Sequence, residues 1–342
     1  MPTEFPENTD QRQSETNHRK SYTETLDRLA TASALHFSKI IRSYVYFNCS
    51  AIAAIFLEIL AFFIFLAFFS TSIGVTLALS LIFLTVFSHN IIKLYLQNKK
   101  IEHFDSLLHG FLEGCRQALE LQDGILEHII ILANASIHLS EKLEGQAPHY
   151  YRLPSRLLFL RNSAENFSTY WHWNDINIMR EKILSFAGQK YIEIIREEPT
   201  NLELHAALAN IYVTSSTIYQ NQPPLSVMEN KQAQKIRTAN FSKTSQKAIE
   251  EFKILCEYAP DDPWVHAQLA YSYHDLQMPK KEMAELEIIL RLVPDDIDTM
   301  FQLGSLYFRQ GLNARGLQVY ESIKKLDYER ANKLIHYYGN IN

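Results

Sequence analysis

At 342 residues and 47% apolar content, the chain has room for about two ordinary domains. Its formal net charge of −5, with no clustered basic face, excludes nucleic acid as the expected partner. Three widely separated cysteines, Cys49, Cys115 and Cys256, exclude a disulfide framework or a CxxC metal site and suit a reducing compartment.

The first 20 residues, MPTEFPENTDQRQSETNHRK, are almost wholly polar. That composition predicts a partly disordered tail over residues 1–43 and argues against a secretory signal peptide.

Between residues 44 and 94 the character reverses. VYFNCSAIAAIFLEILAFFIFLAFF is followed, after the short STSIG, by VTLALSLIFLTVFSHNII. Each run suffices to cross a hydrocarbon core of roughly 30 Å as a helix. So short a link predicts a tight antiparallel hairpin turning at Thr71/Ser72. Lys39 and Arg42 precede the first run, Lys93, Lys99 and Lys100 follow the second, and the link is uncharged. The positive-inside rule then puts both termini on the cytoplasmic side of a two-span, multi-pass membrane protein. Glu58 sits near the middle of the first run. Thirteen Leu, Ile and Phe residues between Ala51 and Phe69, at about −0.3 to −0.6 kcal/mol each, outweigh a central carboxyl costing roughly 3 kcal/mol. Folding about the turn places Glu58 at the depth of Thr85, which suggests a protonated carboxyl bonded across the pair. The alternatives are a proton or ion relay, the default suspicion for an intramembrane acid, and a soluble reading in which the runs are core helices.

Residues 95–180 read as a helical linker or stalk. Ile101, Phe104, Leu107, Leu108, Phe111, Leu112 and Cys115 recur at helical spacing, and Ile125, Ile129, Leu132 and Ile137 mark a second helix after Asp123-Gly124. His103 and His109 fit no metal-ligand spacing and read as a solvated face. The aromatic cluster YWHWND, Tyr170 to Asp175, closes a core, binds a partner or sits at a membrane interface.

From residue 181 to 342 a repeat emerges. PDDPWVHAQLAYSY at Pro260–Tyr273 and PDDIDTMFQLGSLY at Pro294–Tyr307 are offset by 34. Leu269 and Leu303, Ala270 and Gly304, Tyr273 and Tyr307, Leu286 and Tyr320, and Ile289 and Ile323 keep that offset. His205, Leu208, Ala209 and Tyr212 give the same register earlier, after Ala187, Tyr191, Ile194 and Pro199. The spacing from Pro199 to Pro260 is 61, which predicts an insertion of about 27 residues over 217–242; Ala248, Phe252 and Leu255 resume the pattern. These residues resemble the tetratricopeptide repeat (TPR), whose units are helix pairs with small residues where the helices cross. Glu282 at a small position, the lack of Trp at the large one and Tyr328 in place of the last Pro depart from that pattern. Together with the apolar runs and the helical spacing that follows them, the resemblance gives an all-α chain: a two-helix transmembrane hairpin, a helical stalk and a TPR-like α-solenoid closed by a cap over Ala331–Tyr338.

Such a solenoid lines its concave face with the first helix of each unit. The resemblance implies that Glu203, Ala206, Asn210 and Val213, then Trp264, Ala267, Tyr271 and His274, then Asp298, Phe301, Ser305 and Phe308 face inward. A carboxylate clamp of the chaperone-binding kind needs Lys or Arg there, and Ala206, Asp298 and Gln302 stand instead. An apolar or helical peptide, held by Asn210, Trp264, Tyr271, His274, Phe301 and Phe308, is the expected ligand. The Asp261-Asp262 and Asp295-Asp296 pairs read as helix caps in place of acid/base groups. Lys231, Lys235, Arg237, Lys243 and Lys247 read as a solvated face or as a contact with anionic lipid.

No nucleophile elbow, phosphate loop, metal triad or dinucleotide fingerprint is present, so neither catalytic nor cofactor residues are expected and the chain reads as no enzyme. The expected function is a membrane-anchored scaffold that binds a protein partner. A second reading is an assembly factor or subunit of a translocation or transport complex, with Glu58 touching other spans or a second copy of the hairpin. In hydropathy alone the hairpin also resembles the inclusion-membrane proteins that some intracellular bacteria secrete. The membrane is then a bacterial inner membrane or a host-derived inclusion membrane, and in the latter the partner is a host protein.

Overall fold

The structure is a computed structural model that describes residues 9–68, 72–122, 124–151, 159–221 and 231–339. Among these there are eleven α-helices and no strand. They form two compact units, one up to Ala187 and one from Gly188 onward.

The first unit is organised by two long helices, α1 (Thr9–Phe68) and α2 (Ser72–Ala118). On α1, Ala30, Ala34, Phe37, Ile41 and Tyr44 are buried at spacings of three and four. The seam continues into the apolar half through the half-buried Ala51, Ile55, Glu58, Phe62 and Phe65. On α2 the matching row is Val75, Ala78, Ile82, Thr85 and His89, then Phe104, Leu107, Phe111 and Cys115. This is the heptad spacing by which helices keep one face on a neighbour. Nothing breaks it: no proline interrupts either helix. The expectation of a tail over 1–43 is therefore corrected, because Thr9–Ser43 belongs to α1 and Phe37 and Ile41 are core residues. Composition hid this, since polar residues such as Gln, Glu, Arg and Lys are also good helix formers. The expected hairpin turn at Thr71 lies outside the described residues. The apolar stretches of both helices are long and apolar enough to cross a membrane, and apart from the half-buried seam their side chains are exposed.

Away from those stretches, α3 (Leu126–Leu143), a 3-10 turn (Ala147–His149) and α4 (Arg161–Glu197) complete the unit. Its core joins Phe37, Phe104, Leu139, Met179 and Ile183, with the Phe37 and Phe104 rings 5.1 Å apart. The buried stripe of α3 is Leu132, Ser136, Leu139 and Leu143, so Ile125 stays partly exposed. Gly145, at φ +69°, takes the chain out of the helix in the left-handed region that a Cβ disfavours. Two ion pairs tie α4 to α2: Lys100 Nζ lies 2.8 and 3.0 Å from the Asp175 carboxylate oxygens, and Lys182 Nζ lies 2.5 Å from Asp105.

The second unit starts with the last turns of α4 and runs through α5 (Leu202–Gln220), α6 (Lys231–Tyr258), α7 (Pro263–Asp275), α8 (Pro279–Leu292), α9 (Ile297–Arg309), α10 (Asn313–Leu326) and α11 (Tyr328–Ile335). Helices α5 to α11 each pack on the next in the chain, and α11 lies on both α9 and α10. The arrangement is repeat-like down to single bonds. Asn201, Asp262 and Asp296 cap α5, α7 and α9 by accepting from the amides of Glu203, Trp264 and Asp298. The turns α7–α8 and α9–α10 share the bonds Met278 N–H to Tyr273 C=O and Leu312 N–H to Tyr307 C=O, both 2.8 Å. Most of the segment expected as an insertion is helix: α5 runs on to Gln220 and α6 begins at Lys231, while 222–230 lie outside the described residues.

Every small or large residue of the shared register is a packing residue. Leu208, Leu269 and Leu303 are buried, as are Ala209, Ala270 and the second-helix positions Leu255, Ile289 and Ile323. A Cβ on Gly304 would stand 2.8 Å from Leu334, and one on Gly316 would stand 2.4 Å from the Phe308 ring. Glycine is what these crossings admit.

Candidate partner-binding face

Two bonding patterns that the register alone did not show hold the first helices against the second. His205 sits 2.7 Å from Glu251 through Nδ1 and 3.0 Å from the Pro199 carbonyl through Nε2. His266 does the same with Glu285 at 2.7 Å and the Pro260 carbonyl at 2.8 Å. Each clasp joins the turn before a first helix to the second helix of its pair. A carbonyl accepts only, so Nε2 donates in both, and Nδ1 faces the carboxyl. The third pair has Met300 at this position and no clasp. The sequence signal was available: both histidines lie six residues after a proline, and Glu251 and Glu285 keep the 34-residue offset. Cations above rings repeat likewise, with Lys247 over Tyr212, Lys281 over Tyr273 and Arg315 over Tyr307 at 5.1, 5.3 and 5.8 Å.

Against this frame the six expected groove residues separate. Trp264 and Tyr271, seven residues apart on α7, are 43% and 56% exposed. Asn210 on α5 is exposed as well. Trp264 is supported from below by an edge-on contact with Phe252, 6.1 Å between centroids, so its ring is held while one side remains open. His274 is exposed but engaged: its Nδ1 lies 3.0 Å from Glu282 on α8. That bond also explains the departure at Glu282, a residue whose equivalents are Ala248 and Gly316.

The α9 row is covered. Phe308 is fully buried, against Gly316 and edge-on to Tyr338. Phe301 is half-buried with its ring 6.2 Å from Tyr337, Arg309 lies over that same tyrosine, and Asp298 pairs with Arg330 of α11. The expectation that Phe308 lines an open groove is thereby corrected. Helix α11 and the residues after it need apolar cover for Ala331 and Leu334, and the α9 row supplies it. What remains open is carried by α5 and α7.

In the first unit, the structure brings Glu58 and Thr85 together: the Thr85 hydroxyl donates to Glu58 Oε1 at 2.9 Å and also lies 3.1 Å from the Leu81 carbonyl. Among the described residues, the second carboxyl oxygen, Oε2, is buried without a hydrogen bond, as is Nδ1 of His89, whose ring stacks on Phe47 at 5.7 Å. The YWHWND cluster divides between two sides of α4. His172 and Asp175 turn inward; Tyr170 is half exposed. His172 Nε2 lies 3.0 Å from the Tyr151 hydroxyl, and burial, with Lys100 and Arg42 nearby, pushes its imidazole down to about 4. Burial raises the Asp175 carboxyl by more than its pairing with Lys100 lowers it. His103 Nδ1 meets the Tyr44 hydroxyl at 2.8 Å. A cleft of about 620 Å³ lies between α1 and α2 below the apolar stretches and is lined by Ser33, His36, His103 and Gly110 among others.

No protein-family model matches this sequence, and comparison with curated proteins yields no significant match.

Proposed function

We propose that this chain is a membrane-anchored adaptor of the tetratricopeptide type: the α1/α2 hairpin crosses a bilayer with both tails on the cytoplasmic side, and α5 to α11 form a short solenoid that takes a protein partner. The observation that carries the reading is the contrast between exposed Trp264 and Tyr271 on α7 and their covered counterparts Phe301 and Phe308 on α9. Two aromatics two turns apart, set on a helix fixed by the His266 clasp, suit an apolar or helical segment that inserts side chains between them. The bilayer reading is supported by apolar surface on both long helices that the described chain leaves unburied, and the cytoplasmic side by Lys39, Arg42, Lys93, Lys99 and Lys100 at their inner ends. A bacterial inner membrane or a host-derived inclusion membrane fits that arrangement.

The test is co-purification from detergent-solubilised membranes. Trp264→Ala and Tyr271→Ala should each reduce the captured partner at least about tenfold, the loss of one hot-spot side chain, without releasing the chain from the membrane. Unchanged capture in the double variant would refute the assigned face.

One observation favours a second reading, a subunit of a larger membrane complex: Glu58 Oε2 is buried with no hydrogen bond from a described residue. A polar group of another span could supply one. Glu58→Leu separates the two, because the adaptor reading predicts normal capture at the α7 face and the complex reading predicts loss of assembly.

A further inference from the structure

We infer that α4 around Phe167–Trp171 rests on the same bilayer that holds the hairpin, forming a shelf of aromatic side chains at the level of the lipid headgroups. The inference depends on the reading of α1 and α2 as membrane spans and adds a second lipid contact to it.

Direction comes first. Lys100 pairs with Asp175 and Lys182 with Asp105, so α4 and α2 ascend together. Moving toward the N-terminus of α4 therefore moves toward the apolar half of α2. Height comes next. Trp171 lines a cavity of about 80 Å³ with Phe47, Asn48, Lys93 and Leu96, where the apolar stretches end.

The rings form a connected row. Tyr46, at the head of the first span, is 6.5 Å from Tyr151; Tyr151 is 5.7 Å from Phe167; Phe167 is 6.1 Å from Trp171; and Trp171 is 5.8 Å from Tyr170. Core rings would be covered, yet Tyr46 is 59% exposed, Phe167 and Tyr170 are partly open and Phe159, just before α4, is 79% exposed. Tyr and Trp favour the headgroup layer because one end is apolar and the other forms hydrogen bonds. Lys93, exposed and in no ion pair with a described residue, adds a cation at that height suited to lipid phosphate. The occupant of this face is thus the bilayer itself, continuous with the lipid around the spans.

The experiment reads tryptophan emission from the full chain in vesicles of phosphatidylcholine and phosphatidylglycerol whose acyl chains are brominated near the headgroup. With Trp264→Phe as background, emission should be strongly quenched, and Trp171→Phe in that background should remove most of the quenchable signal. Phe159→Ser with Phe167→Ser, both at exposed rings, should weaken quenching of Trp171 while helix content stays unchanged. A tryptophan placed in the span by Phe63→Trp, in a chain without native tryptophans, is the control. If that span probe is quenched and Trp171 is not, the shelf faces water or protein and the inference falls while the hairpin stands. If neither is quenched, both fall.

Discussion

The pairs α7/α8 and α9/α10 share a register, a capping aspartate and a turn, yet their outward rows meet opposite fates. In the first, Trp264 and Tyr271 remain open; in the second, Phe301 and Phe308 are covered by the C-terminal segment. The packing positions differ as well. His266 reaches Glu285 and a carbonyl, while Met300, its equivalent, fills its place by apolar contact alone. A repeat thus fixes which residues pack within a pair and leaves the outward row to whatever lies next in the chain.

Among substitutions in these two pairs, Phe308 should matter most. Phe308→Ala empties a fully buried site and should cost about 3–5 kcal/mol of stability in the second unit, measured by denaturant unfolding of the solubilised chain. A cost below about 1 kcal/mol would return Phe308 to the list of surface residues. Gly316→Ala, which drives a methyl group into the Phe308 ring, should cost about 1–3 kcal/mol through overpacking. His266→Ala should cost roughly 1–3 kcal/mol by leaving Glu285 without its imidazole partner and the Pro260 carbonyl without its donor, and Glu285→Gln should cost less because an amide still meets the imidazole.

The turns offer the smallest and sharpest contrast. Gly311 and Gln277 occupy the same position, 34 apart, at φ +73° and +55°. Only glycine enters that region without strain, so Gln277→Gly should stabilise the second unit by up to about 1 kcal/mol, and Gly311→Ala should destabilise it by at least as much. Thermal unfolding of the two variants side by side checks both signs.

Much of this was legible in the sequence, for physical reasons. The 34-residue register reported the helix pairs because packing at Leu269 and Leu303, and crossing at Ala270 and Gly304, constrain residue type strongly. The Glu58–Thr85 bond was foreseeable from depth alone, since both residues interrupt apolar runs that must lie side by side. The unbroken length of α1 was not, because a polar helix and a polar tail share a composition and only the seam from Ala30 to Tyr44 separates them. Nor was the burial of Phe308. Its inward position is what the repeat resemblance implies, whereas its cover comes from Tyr338, in a segment with no repeat to betray where it folds back.

The most direct test of the account places a photo-reactive phenylalanine analogue at Tyr271 and, separately, at Phe308 in membranes containing the partner. The open α7 face predicts an adduct with a second protein from position 271, abolished by Trp264→Ala, and from position 308 only an adduct internal to the chain. A partner adduct from 308 with none from 271 would contradict it.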